Sequence, residues 1–165
     1  MVLLSKSNMD YTSKYIHCPR ASYPEGLEFL NTQRVCVLAV ELLDGSPHAA
    51  TVHFAHTGEK PVLYFETNKE YRKAEPLQKQ AETRGSVVVG TDETQMKTLQ
   101  MDGVLRFITE TERAQFDEVY LGNFPEKAAK TAAGMFILFS FTPTWWRFTD
   151  FKTPTGKLII DSETN

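Results

Sequence analysis

Cysteine is scarce: Cys18 and Cys36 are the two in a chain of 165 residues. Two thiols cannot make the disulfide framework that holds small secreted domains together. Cys36 sits in the apolar run 35–40 and reads as a small core residue. Cys18 lies in a polar leader with no acidifying neighbourhood, so nothing marks it as a reactive thiol. Long apolar runs are missing as well. None approaches the roughly 18 residues that span a bilayer, and the apolar start 1–4 is cut off by Ser5, Lys6, Ser7 and Asn8 before it reaches secretory-signal length. A cytoplasmic chain without a membrane partner is the expectation. A dense Lys/Arg patch is absent and the formal net charge is -3, which argues against a nucleic-acid partner.

Catalytic signatures are equally thin. There is no Gly-x-Ser-x-Gly elbow, no Walker loop and no Rossmann glycine fingerprint. Asp117 and Glu118 lie on a predicted surface helix and read as solvated. His48, His53 and His56 share one predicted strand, but His48 and His56 would stand ~26 Å apart at ~3.3 Å per residue, and His53 points to the opposite face. No Cys/His/Asp cluster at ligand spacing joins them, so no metal is expected. No residue presents itself as a catalytic acid or base.

What remains is a chain of ordinary globular composition, 41% hydrophobic and 24% charged, long enough for one domain and short for two. Residues 1–20 read as a polar arm and 21–165 as the domain. A short helix is predicted over 24–31, a buried strand over 34–42, a hairpin turn at Asp44-Gly45, a return strand over 47–56 and a third strand over 61–66. Helical spacing follows at Tyr71, Ala74, Leu77, Gln78 and Ala81. Strands are predicted over 86–89 and 98–108, helices over 110–121 and 125–132, and strands over 134–141, 145–148 and 157–160. The pattern is mainly antiparallel β with peripheral helices (an α+β chain), and about six strands suit a barrel that leaves no exposed edge.

The decapeptide 64–73, Tyr-Phe-Glu-Thr-Asn-Lys-Glu-Tyr-Arg-Lys, carries the most chemical information. An apolar strand ends at Thr67 and Asn68, and Arg72 and Lys73 open the next helix. A hydroxyl, an amide and two cations thus gather at a strand-to-helix junction, where free backbone N–H groups favour an anion. A phosphate fits; so does an ordinary loop with solvated charges.

This stretch resembles the flavin-phosphate signature of the pyridoxamine 5'-phosphate oxidase family, in which an aromatic strand ends in Thr-Asn and Arg-Lys follows at the spacing found here, with Tyr71 where the family usually has Ser. The resemblance extends more weakly over about residues 25–151. It implies a six-stranded antiparallel Greek-key split barrel that binds FMN and forms a homodimer, with oxidoreductase activity on a small-molecule substrate or reductant. Carried onto this chain, it puts Arg72 and Lys73 on the phosphate, Glu66 and Thr67 at its border through backbone or hydroxyl donors, and Thr51, His53 and Thr98 along the pocket. One of Trp145 and Trp146 is expected in the core and the other at an interface, with Trp146 a candidate to stack near the flavin. The family's Arg falls on Thr51 and its Lys on His56, so two cations are absent, and pyridoxamine 5'-phosphate is not the expected substrate. The rival readings are a module that binds, stores or senses flavin, haem or a deazaflavin without turnover, and an interaction protein with an empty pocket.

Overall fold

A computed structural model of the chain describes residues 24–58, 61–153 and 156–162. The predicted arm over 1–20, and Cys18 with it, lies outside the described residues. Helix α1 (Pro24–Asn31) starts on a proline, whose fixed φ suits a first helical position, and buries Phe29 and Leu30. Strands β1 (Val35–Glu41) and β2 (Pro47–His53) pair antiparallel. Their turn is built as its residues demand. The Gly45 N–H donates to the Leu42 carbonyl, Gly45 takes φ +79, and the Asp44 carboxylate accepts from the Ser46 N–H and hydroxyl.

The predicted return strand is one chain segment doing two jobs. β2 ends at His53, Phe54 breaks the pairing, and β3 (Ala55–His56) resumes it against β4 (Leu63–Asn68). The sheet order is β2-β1-β5-β6-β7-β4-β3, where β5 is Glu82–Val89, β6 is Lys97–Phe107 and β7 is Phe136–Thr153. Because β2 and β3 are continuous in the chain, the two ends of that order meet, and the sheet curls into a split barrel. β8 (Gly156–Asp161) adds to the far half of β7. The sheet therefore counts eight strands rather than the expected six: β2 and β3 split one, and β8 stands outside the barrel wall. Helix α2 (Ala74–Lys79) is shorter than the predicted 71–81, because Gln80 already adopts extended φ/ψ to enter β5.

Two glycines permit the tight curl. Gly85 and Gly103 face each other across β5 and β6. A Cβ on Gly85 would collide with Leu105 and sit 2.7 Å from the Ala39 carbonyl oxygen; one on Gly103 would overlap the Thr142 carbonyl and press on the Phe141 ring at 2.9 Å. Beside Gly103, β7 carries a bulge: Gly103 pairs with Pro143 and Asp102 with Trp145, leaving Thr144 as the extra residue. The bulge bends β7, which serves β4 before it and β8 after it.

Inside the barrel lie Leu38, Phe54, Phe65, Phe139, Phe141 and Phe148, with Phe65 and Phe139 stacked at 5.2 Å between centroids. Cys36 belongs to this core, and burial pushes its thiol up to about 12. A second cluster covers the outer face of β4 and β7. The predicted 110–121 helix is a 3-10 turn (Glu110–Glu112), a short α3 (Arg113–Phe116) and a π turn (Asp117–Leu121). It delivers Phe116, Tyr120 and Phe124 onto Tyr64 and Leu138. A 3-10 turn (Pro125–Lys127) and α4 (Ala128–Ala132) complete the layer. No helix among the described residues is long and apolar enough to cross a membrane.

Gly103→Ala should therefore destabilise by about 1–3 kcal/mol, because a backbone carbonyl cannot step aside. Gly122→Ala is the control. That residue is helical at φ -59 with nothing within 4 Å of a new Cβ, and it should gain up to ~1 kcal/mol. Urea unfolding midpoints at unchanged slope read both. Equal midpoints for the two variants would refute the crowding argument at Gly103.

Candidate functional site

The junction between β4 and α2 is folded by its own backbone. The Tyr71 N–H donates to the Asn68 carbonyl, the Ala74 N–H to the Tyr71 carbonyl, and the Asn68 side-chain oxygen accepts from the Glu70 N–H. The Gln78 amide reaches back to the Lys69 carbonyl at 2.8 Å. Thr67 follows Leu63 and Phe65 on the inward face of β4 and is buried. Lys73 precedes Ala74, which is fully buried in the main core. α2 has six residues, too few for a macrodipole to carry a site, so the side chains must account for any anion preference here.

Two of them do. Lys73 is 8% exposed, and among the described residues no carboxylate pairs with it. Its neighbour is the Tyr71 ring, 4.8 Å from Nζ to the centroid. Burial lowers its pKa, since a low-dielectric environment disfavours the ammonium. The Thr67 hydroxyl, also buried, has no hydrogen-bond partner among the described residues. A largely buried lysine without a carboxylate partner and a buried hydroxyl without a hydrogen-bond partner are each unfavourable. An anion with acceptor oxygens, such as a phosphate monoester, has the chemistry that suits each of them.

Arg72 behaves differently. It is exposed, and its charge is felt by Asp44 in the β1–β2 turn, whose carboxyl is held low chiefly by Ser46 and partly by Arg72. Of the two predicted cations, Lys73 is the buried one.

The other predicted residues divide by face. Glu66 points away from Thr67. Its carboxylate accepts from the Thr131 hydroxyl at 2.8 Å and pairs with Lys127 at 3.2 Å, so the side chain is engaged in the helical layer and only its backbone can border a ligand near Thr67. Continuing the β3–β4 register through Phe54 brings His53 level with Glu66 and Thr51 level with Asn68. Both are exposed on β2, as its alternation predicts. The His53 ring meets Phe124 edge-on at 5.3 Å, and its pKa is lowered by burial, then by Lys127 and Arg34. His56 is half-buried, and its Nδ1 stands 2.6 Å from the Thr57 carbonyl oxygen, so that nitrogen carries the proton.

Thr98 and Trp146 lie elsewhere. Thr98 pairs with Thr149, and its hydroxyl donates to the Val89 carbonyl. About 30 Å of strand, at ~3.3 Å per residue, separates it from Phe107, the end of β6 nearest Thr67. Trp146 is partly buried and packs against the main core of its own chain. The outward tryptophan is Trp145, with the Arg147 guanidinium 5.3 Å over its ring. Sequence parity alone left this choice open, and the bulge at Thr144 decides it.

Sequence reasoning missed two features. One is the network of Lys127, Tyr120, Thr131 and Glu66 that ties the helical layer to β4, with Lys127 donating to the Tyr120 hydroxyl at 2.7 Å. The hydroxyl and carboxylate partners of the Lys127 ammonium, Tyr120 and Glu66, lie seven residues away and on β4, so no local pattern announces them. The other is a groove of about 470 Å³ on the outer face of β1, β5 and β6, lined by Ala39, Gly85, Ser86, Asp102, Val104 and Thr144. Its polar groups are already paired, Ser86 with Asp102 and Arg84 with Glu41. Lys73 is not among its lining residues.

Comparison with known proteins agrees with this architecture. The general stress protein 26-related protein of Clostridium acetobutylicum, described as of the pyridoxinephosphate oxidase family, superposes with a TM-score of 0.60 at 14% identity, over 84% of this chain and 93% of its own. A putative pyridoxamine 5'-phosphate oxidase of Listeria innocua gives 0.56 at 22% identity, over 75% and 94%. A haem storage protein of Vibrio cholerae gives 0.53 at 18%, over 73% and 89%. No curated protein matches the chain. The family model for pyridoxamine 5'-phosphate oxidase matches residues 24–150, from the first residue of α1 into the second half of β7, and the chain belongs to that family.

Proposed function

We propose that the chain is a homodimeric FMN-binding split barrel acting as a flavin-dependent oxidoreductase on a small molecule in the cytoplasm. One observation carries this reading: Lys73, 8% exposed and with no carboxylate partner among the described residues, stands at the strand end where the buried Thr67 hydroxyl also has no partner among them. Lys73 would hold the phosphate as a compact charge and Thr67 would donate its hydroxyl. Arg72 and the backbone at Glu66 would border the same group, and Thr51 and His53 would flank it from β2. Bound there, the flavin supplies the electron transfer, while the protein holds and orients it. The sequence shows no nucleophile-with-base pattern that would suggest a different chemistry.

The dimer rests on two features. The outer face of β1, β5 and β6 has no helical cover among the described residues, and it presents Val88, Val104 and the grooved Gly85–Gly103 region. Thr98 and Trp146 lie at the far end of the ladder from Thr67, so a pocket that uses both groups spans two copies. Trp145, turned outward, is the aromatic offered to the partner.

A second reading is non-catalytic ligand storage or sensing, and the Vibrio cholerae neighbour, described as a haem storage protein, favours it. The visible spectrum of the purified protein separates the two, since oxidised flavin, deazaflavin and haem absorb differently.

Titration with FMN and riboflavin should show a clear preference for FMN. Charge-assisted contacts of this kind are worth ~1.5–3 kcal/mol, so Lys73→Ala should weaken FMN by about tenfold or more and leave riboflavin nearly unchanged. Equal affinities for the two ligands in the unmodified chain would sink the phosphate site. Sedimentation equilibrium at micromolar concentration should report about twice 18.8 kDa. A monomer that binds FMN fully would refute the shared pocket. With Thr51 and His56 in place of cations, assays with pyridoxamine 5'-phosphate should yield little pyridoxal phosphate, while a reduced nicotinamide or another small reductant bleaches the flavin. Turnover at about 1 per second or faster would overturn that claim.

A further inference from the structure

Tyr71 is the most exposed large hydrophobic side chain among the described residues, at 57%. Its backbone is fixed at both ends, the N–H on Asn68 and the carbonyl on Ala74. Its ring lies against Lys73, whose Nζ is 4.8 Å from the ring centroid. Lys73 in turn has burial on one side, no carboxylate partner among the described residues, and this ring. An ammonium in that position is drawn to the negative face of an aromatic ring, which partly replaces the missing counter-ion.

We propose that Tyr71 is a specificity-determining residue of the phosphate site: its ring is the resident partner of Lys73, and an incoming phosphate monoester must take the ammonium from it. The proposal rests on Lys73 being a phosphate ligand. The ring's attraction is weaker than a charge-assisted hydrogen bond, so a phosphate dianion displaces it and a neutral polyol does not. Tyr71 thus holds the affinity for phosphate-bearing ligands below what Lys73 alone would give and leaves ligands without phosphate unaffected. The π face is responsible rather than the phenol hydroxyl, because the contact is to the ring.

The test uses the full chain with Tyr71→Phe and Tyr71→Ala. Two probes are read: FMN against riboflavin by quenching of flavin fluorescence, and protection of Lys73 from acylation by inorganic phosphate, which needs no flavin. Tyr71→Ala should tighten FMN and strengthen phosphate protection by about two- to fivefold, with riboflavin unchanged, and Tyr71→Phe should match the unmodified chain. Rising phosphate protection in Tyr71→Ala, with no flavin bound by any form, would support the ring's role while the cofactor reading fails. FMN binding that depends on Lys73, with neither probe responding to Tyr71→Ala, would overturn the ring's role while that reading stands. A Tyr71→Phe variant that behaves like Tyr71→Ala would also overturn it, because the hydroxyl would then be the active group. No protection of Lys73 by phosphate in any variant would overturn both.

Discussion

The closure of the sheet at Phe54 is the constraint on which the rest depends. One chain segment, 47–56, supplies the first strand of the ladder and the last, and Phe54, 2% exposed, is driven into the core between them. A fully buried phenylalanine is worth about 1.5–3 kcal/mol of transfer free energy, enough to hold a break in strand pairing that would otherwise leave backbone groups exposed. The break is satisfied locally as well, since the Phe54 N–H donates to the Arg34 carbonyl. With the barrel closed there, β4 runs beside β2, and the chain must cross the barrel end to reach β5. That crossing is the β4–α2 junction, which explains why Thr67 and Lys73 become buried at all.

Burying Lys73 runs against the usual rule that a lysine stays wet unless paired. The neighbouring residues are regular: Ala74 and Leu77 fill the core, and Lys79 pairs with Glu75 one turn away. Departures from local consistency concentrate where function needs them. The second departure, the unpaired Thr67 hydroxyl, occurs on the same junction, and their coincidence says more than either alone. The other buried orphan hydroxyl, Ser140, lies on β7 between Tyr64 and Arg106, and that arginine is already paired with Glu112.

Much of the fold was legible in the sequence because alternation and turn chemistry are local. Asp44-Gly45-Ser46 forms the turn that its residues specify, and α1 begins and ends where its proline and asparagine indicate. The site was legible in part. The Thr67-to-Lys73 spacing located the junction, and burial then distinguished Lys73 from the adjacent Arg72, which no pattern of two consecutive cations can do. What the sequence hid was parity. Thr144 inserts one residue into β7 and exchanges the faces of everything after it, so Trp146 and Phe148 turn inward where Phe139 and Phe141 did before. A Pro-Thr-Trp-Trp string does not announce which residue is the extra one. The breaks at Phe54 and within the 110–121 helix were hidden for a related reason: tertiary packing, rather than local preference, sets them.

The same geometry separates the charge at the β4–α2 junction from positions 51 and 56. Thr51 and His56 stand where the resemblance placed an arginine and a lysine, and both lie on the β2–β3 segment, while Lys73 lies on the crossover. The two elements meet only through barrel closure, so the crossover's charge is buried by the fold whatever β2 and β3 carry. A cation buried by topology cannot simply be left solvated when its former companions are lost. It needs an anion, a neutral substitute or an aromatic face. This chain has kept the lysine and set a tyrosine ring beside it. A ring at that distance offsets the lysine's charge less than an internal carboxylate would, and so competes less with an incoming anion.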